Sequence, residues 1–207
     1  MQLTTLHNRL SKRRQRGFNM VEIAICLGVI AIALVAIIGV MPTGMRVTQD
    51  NREETVIDQD ARYFMQAIRL GAAGDAQLAG QVESVNGNPV TDPLLVIGRL
   101  CIPDQVNVAI VRGLSGPAAE RSAASAPVAF RYRLTTEVRP FTPPATAPPQ
   151  MADYLHEVTL RFEWPLRPDG TLGQRMATAS PRIYRFMVSG QLVETNYSGE
   201  TIFLFRP

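Results

Sequence analysis

Only two cysteines and two histidines occur in the 207 residues of this chain, and that scarcity removes several chemistries at once. Cys26 lies inside a long apolar run and Cys101 far beyond it, so the pair does not meet within one chain. Each reads as a small buried apolar residue, with a link between chains through Cys101 as the other use. His7 sits among basic residues near the start, and His156 heads a predicted strand; neither has the neighbours that zinc ligation needs. There is no glycine-rich phosphate loop, and Gly113-Leu114-Ser115-Gly116 has the wrong spacing for a nucleophile elbow. Asp58 and Asp60 are two residues apart, so on a helix they face apart and form no paired-carboxylate site. The expectation is a non-enzyme with no catalytic residue, no metal and no cofactor. No internal repeat is visible, and no basic patch with interleaved aromatics calls for nucleic acid.

Charge is also missing in two places. Residues 1–17 contain no acid, only Arg9, Lys12, Arg13, Arg14 and Arg16. Ile23 to Met41 are nineteen residues without a charge, and the uncharged stretch continues to Met45. As a helix, nineteen residues cover roughly 28 Å, close to the hydrocarbon thickness of a bilayer. The run is apolar on every face, broken only by Cys26, Gly28 and Gly39, which reads as a transmembrane helix in contact with a lipid bilayer. The basic leader keeps its end cytoplasmic and sends the bulk of the chain across. A secretory signal would carry its small-residue cleavage site after the apolar region; here Gly17 precedes it, so the segment is expected to be retained. Of the 21 Lys and Arg, five lie in residues 1–17, leaving 16 against 18 Asp and Glu, or about −2. The basic character belongs to the leader.

Glu22 stands at the edge of this run. A carboxylate next to lipid costs a few kcal/mol unless paired or drawn to the interface. One use is to cap the helix start, where the dipole favours negative charge. The other follows from its surroundings, Arg16-Gly17-Phe18-Asn19-Met20-Val21-Glu22, which place Glu22 fifth from Phe18. This junction resembles the processing site of type IV prepilins and pseudopilins. The resemblance covers about the first 70 residues. It implies cleavage after Gly17 by a prepilin peptidase/methyltransferase, methylation of the new N-terminal Phe18, and a role for Glu22 in assembly. A free α-amino group has an unperturbed pKa near 8, so Glu22 could pair with a neighbour's Phe18 ammonium in lipid.

Downstream, Ile57, Ala61, Phe64, Met65 and Ile68 recur at three- and four-residue steps, with Glu53, Glu54, Asp58, Arg62 and Arg69 on the other faces. This predicts an amphipathic continuation of the helix that ends near Gly71 to Gly74, with an Asp58–Arg62 pair along it. Gly39 and Pro42 predict a kink or loosening between the two halves. Either it marks the membrane exit or, as the resemblance implies, a segment that melts in a filament. Val128, Phe130, Tyr132 and Leu134 alternate with polar residues, as do Val158, Leu160, Phe162 and Trp164, giving two half-buried antiparallel strands. Shorter strand candidates are Leu94 to Cys101, Val106 to Val111, Ile183 to Val188 and Thr201 to Phe205. Asn86-Gly87-Asn88 and Arg167-Pro168-Asp169-Gly170 supply turns. Ser115 to Pro127 and the proline-rich Pro140 to Pro149 read as loops.

The expected organisation is a leader (1–17, removed), a transmembrane and assembly helix (18–45), its amphipathic continuation (46–74) and a β-rich exported domain (75–207). The fold class is α+β, a long N-terminal helix packed on an antiparallel sheet, and pilin folds look like this. By resemblance the chain is a structural subunit, of the minor kind, of a type IV pilus or type II secretion pseudopilus. The Gly39 to Gly44 segment and the downstream acidic helix resemble V-type minor pilins and I-type pseudopilins, and pilin-like proteins of the Verru_Chthon cassette families are another match, a looser one. The partners implied are other pilin or pseudopilin subunits and an inner-membrane assembly platform. The location implied is the bacterial inner membrane, single-pass with a periplasmic domain, and then a filament. Some major pseudopilins bind calcium, for which Asp169 would be the residue here, although a turn also accounts for it. The second function class is a single-pass anchored protein whose exported domain binds a partner without polymerising.

Overall fold

The computed structural model describes residues 19–71, 77–113, 130–144, 146, 148, 151–173 and 181–206. The leader with Lys12, Arg13, Arg14 and Arg16, the Gly17–Phe18 bond, and the Ser115 to Pro127 loop lie outside the described residues. The chain is α+β, with one long N-terminal helix, α1 (Met20–Leu70), and a mainly antiparallel β-rich remainder. Its contacts divide it into two units, one ending at Thr48 and one running from Gln49 to Pro207.

In the first unit the helix begins where the Asn19 carbonyl accepts the Ile23 N–H at 3.1 Å. Glu22 lies in its first turn, where a negative charge complements the exposed amides. The helix runs without a break through Gly39, Pro42 and Gly44. Pro42 has no N–H, so the Ile38 carbonyl loses only one bond of the ladder, and Thr48 Oγ1 donates to the Gly44 carbonyl at 2.9 Å one turn on.

In the second unit the remainder of α1 buries Ile57, Ala61, Phe64 and Ile68 on one stripe. The stripe packs in one core with a sheet of order β2-β1-β3-β4-β5-β6. Those strands are β1 (Val82–Val85), β2 (Asn88–Pro89), β3 (Val106–Arg112), β4 (Arg131–Pro140), β5 (Leu155–Glu163) and β6 (Arg182–Ser189). Every pairing is antiparallel. The alternation read for the two main strands is realised from Tyr132 on: β4 buries Tyr132 and Leu134 and continues it to Thr136 and Val138, and β5 buries Val158, Leu160 and Phe162. Half-buried Phe130 precedes β4, and Val128 lies outside the described residues. Phe162 sits at the centre of an aromatic cluster, with ring centroids 6.5 Å from Phe64, 5.6 Å from Tyr132 and 5.7 Å from Tyr184. Each fully buried aromatic contributes about 1.5–3 kcal/mol of transfer free energy.

The Leu94 to Cys101 segment is not a strand. It forms α3 (Pro93–Leu100), after the short α2 (Gln77–Gln81). A brief apolar run has no distinguishing period, and the local start signal decides it. Asp92 caps the helix by accepting from the Leu94 N–H at 2.8 Å, and Pro93 takes a first-turn position that needs no donor. The C-terminus adds a separate hairpin, β7 (Gln191–Tyr197) with β8 (Glu200–Arg206). It is held to α3 by Arg99, whose guanidinium donates to both Glu200 oxygens at 2.6–2.9 Å, and by Tyr197 Oη donating to Asp92 at 2.9 Å. Strands β1, β2 and β7 have no alternating apolar pattern long enough to read from sequence. The Asn86–Gly87 turn that joins β1 to β2 does, and both residues take the left-handed φ that its tight hairpin requires (52° and 81°).

Glu83 on β1 supplies one stability prediction. Its carboxylate accepts from Arg112 Nε at 2.7 Å and from Arg131. Burial raises its carboxyl, but the two guanidiniums outweigh that and hold it below the ordinary 4.5. A lowered carboxyl stabilises the fold above the unfolded pKa and loses that contribution as pH falls through the folded value. Wild-type stability is therefore expected to decline below about pH 4.5. Glu83→Gln should lower stability by about 1 kcal/mol at neutral pH and flatten that acid decline. Urea titrations at pH 7 and pH 3.5 check this; parallel pH profiles for the two proteins would refute it.

Candidate functional site: the start of the helix

Of the segment that carries the processing and assembly reading, the structure describes Asn19 onward, and its most apolar window is exposed. Glu22 is exposed in the first turn. Of the residues behind it, Ile25, Leu27, Val29, Ile32, Val35 and Ile38 are each more than 60% exposed. None of the most apolar window of α1 is buried, and the helix is long and apolar enough to cross a membrane. Cβ atoms built on Gly28, Gly39 and Gly44 would meet nothing within 4 Å, so the fold of one chain does not require those glycines. Cys26 is exposed on the same helix. Burying nineteen such residues in lipid or against other helices removes a large apolar surface from water. A soluble helix of this composition would have to be covered by its own domain.

Several titratable residues of the second unit are paired with one another. Asp58 accepts from Tyr184 Oη and lies 3.7 Å from Arg182 Nε, with Glu54 also paired to Arg182. The expected Asp58–Arg62 pair along the helix gives way to these partners on β6, because the tertiary contact brings a cation and a hydroxyl closer. Asp60 turns inward, 1% exposed, and accepts from Tyr132 Oη at 3.0 Å. Asp58 and Asp60 thus reach different strands, as their two-residue spacing implies, and each fastens α1 to the sheet. Burial and the nearby Asp60 carboxylate push the Tyr132 hydroxyl well above its usual range. Asp60 gives no sequence signal of burial, since a lone Asp in an amphipathic helix reads as solvated.

His156 is the second residue of β5, buried beside Phe205 with ring centroids 5.3 Å apart. Burial lowers its pKa, partly offset by Asp153, so the imidazole is a neutral core group. Cys101 caps α3 and is fully buried, and burial pushes its thiol up to about 12. The link between chains through Cys101 is therefore closed off: its sulfur has no surface and little thiolate at neutral pH. Asp169 sits in the expected turn, accepting from the Thr171 N–H at 2.9 Å and Thr171 Oγ1 at 2.6 Å, with Gly170 at φ 80°. Its carboxylate is used locally, and no group of three or more metal-ligating side chains occurs among the described residues.

The expected strand from Val106 to Val111 is β3, and its core side is Asn107, Ala109 and Val111. Asn107 can be buried because its side chain donates to the Ile102 carbonyl at 2.9 Å and accepts from Asn86 and Gln105 at 3.1 and 2.8 Å. The valines and Ile110 instead line a shallow depression of about 430 Å³ on the outer sheet face, with Arg133, Arg161 and Glu163 around it. Its shape is open and its polar groups are paired to each other, so it does not converge on a ligand.

Comparison with protein families, curated proteins and solved structures finds no match for this chain.

Proposed function

We propose that this chain is a structural subunit, of the minor kind, of a type IV pilus or type II secretion pseudopilus. The observation that carries the reading is one acidic residue, Glu22, in the first turn of a membrane-length helix whose apolar window is exposed among the described residues. An anchor alone does not need that carboxylate at the lipid boundary, where it is costly. A subunit that docks laterally does, because the neighbour's free amine at Phe18 offsets the cost and sets the register. The leader with Lys12, Arg13, Arg14 and Arg16 would hold the precursor's start in the cytoplasm, with Gly17–Phe18 presented to the peptidase. The β-rich unit then lies in the periplasm and, after assembly, on the filament surface. Other pilin-like subunits and an inner-membrane platform are the partners, and no cofactor or nucleic acid takes part.

The mature N-terminus tests this. Mass spectrometry of the protein recovered from membranes of a host carrying the peptidase is expected to find N-methylated Phe18 as the first residue. An intact Met1, or a cut elsewhere, would reject the reading in favour of a single-pass anchored binding protein.

A further inference from the structure

Strand β5 begins at a corner where several elements meet. β6 ends with Ser189 opposite Leu155, and Gly190, at φ 133°, turns the chain into β7. The Gly190 N–H donates at 2.9 Å to the carbonyl of Tyr154, the last residue of a short helix, α4 (Met151–Tyr154), that leads into β5. Across the hairpin Leu192 pairs with Phe205, which is 1% exposed. The Phe205 ring packs on His156, with centroids 5.3 Å apart and planes at 69°. His156 is itself 7% exposed, opposite Pro140 of β4 and Val188 of β6.

The corner is thus an apolar socket around a titratable ring. His156 Nδ1 is buried with no hydrogen-bond partner among the described residues. A neutral imidazole tolerates this, because its unprotonated nitrogen forgoes one bond. A protonated ring strands both a donor and a charge. The face of an aromatic ring can offset part of a cation's cost, but burial is the larger effect and lowers the imidazole below its ordinary 6.5. Asp153 on α4 eases the charge. Of the charged groups on the other elements, Arg139 pairs with Glu137, Arg69 lies over the Phe186 ring, and Glu157, Arg185, Glu194 and Arg206 are exposed.

The hairpin is gripped unevenly. At its turn, Tyr197 and Glu200 are held by Asp92 and Arg99, at the two ends of α3. At the other end, Phe205 rests on the His156 ring and against the backbone of Gly71. We propose that His156 is the pin of a pH-sensitive clasp: in mildly acidic surroundings its protonation loosens the socket, and the hairpin opens at its Phe205 end while α3 holds the turn. Linkage sets the direction. The closed corner binds protons less readily than the open one, so its contribution is complete above pH 6.5 and is lost as pH falls through the folded value. Opening uncovers Phe205 and the start of β5, apolar surface that the closed unit hides. The clasp goes beyond the filament reading and does not use Glu22.

The test is amide hydrogen exchange of the full-length chain in detergent micelles, read by mass spectrometry at about pH 7.5 and 5.5 and corrected for the intrinsic pH dependence of exchange. Both values lie above the acid decline tied to Glu83. A two-stranded hairpin off its support is marginal in water, so its amides exchange once it opens. Protection of residues 202–206 is expected to fall about fivefold at the lower pH, where linkage sets a ceiling of about tenfold. Protection of residues 132–138 on β4 should hold. His156→Leu, close in volume and unable to titrate, should cancel the fall. Asp153→Asn should leave the higher pH unchanged and deepen the fall toward the ceiling, because the protonated corner loses its supporting carboxylate; this variant carries the test if His156→Leu does not fold. No fall in the wild type, the same fall in His156→Leu, an equal loss on β4, or no response to Asp153→Asn would overturn the proposal.

Discussion

Glu22→Ala is expected to leave cleavage after Gly17 intact while reducing incorporation of the chain into filaments about a hundredfold. In the proposed reading the peptidase acts on the bond before Phe18, and among the described residues no side chain holds the exposed Glu22 in place, so its removal is expected to leave the local helix intact. Assembly is different. A charge left unpaired in low dielectric costs about 3 kcal/mol or more, and the neighbour's Phe18 ammonium would be left in that state. About 3 kcal/mol corresponds to roughly a hundredfold in a binding equilibrium. Glu22→Gln, which keeps the shape and removes the charge, should resemble the alanine variant. Glu22→Asp should retain part of the activity, because the carboxylate survives on a shorter stem. Pull-down of tagged subunits from sheared filaments, with the mature N-terminus checked in each variant, gives the answer. Normal incorporation of Glu22→Gln would show that the carboxylate serves only as a helix cap.

Gly71→Ala should be the most damaging single methyl group in the second unit, lowering stability by about 3–4 kcal/mol. Gly71 ends α1 with φ 58°, the left-handed conformation that releases the chain from a helix. A Cβ there would lie 2.1 Å from the Phe205 carbonyl oxygen on β8, and backbone cannot swing aside as a side-chain tip can. Strain in φ alone costs about 1–2 kcal/mol, and the clash adds to it. Gly199→Ala isolates the first part, since Gly199 also has positive φ (85°) but nothing within 4 Å of its Cβ. Gly98→Ala isolates the second part, because its Cβ would meet the Ile202 Cβ at 2.5 Å on a helix with ordinary backbone. For a unit of this size, 3–4 kcal/mol corresponds to a fall of about 10 °C in melting temperature. Circular dichroism of the full chain in detergent, followed at a β-sheet wavelength, measures it. If Gly71→Ala melted with Gly199→Ala, the end of α1 would not rest on β8.

Much of the architecture was legible because it depends on long, regular patterns. The uncharged run from Ile23, the stripe from Ile57 to Ile68 and the alternation in β4 and β5 each repeat often enough to exceed local noise. What was illegible was short or inverted. Leu94 to Cys101 is too brief for its period to speak, and its helix follows from the Asp92 cap instead. In β3 the more apolar side of the strand faces outward, because the hydrogen bonds that satisfy Asn107 come from residues 86, 102 and 105, a meeting that only folding creates. The inward turn of Asp60 depends in the same way on Tyr132, seventy-two residues on.

The order of residues from Glu22 to Met45 was enough to define the boundary carboxylate and a membrane-length helix, while the candidate processing bond at Gly17–Phe18 rests on a resemblance. The first two depend on charge and hydropathy along a continuous segment, and neither needs a distant partner. Tertiary structure decided everything that depends on separated segments meeting: which face of β3 is core, that Cys101 is sealed, and that Asp58 answers to β6 rather than to Arg62. It also decided that β6 ends the six-stranded sheet among the described residues. A strand's free edge is defined by which neighbours it lacks, and that is a property of the assembled sheet.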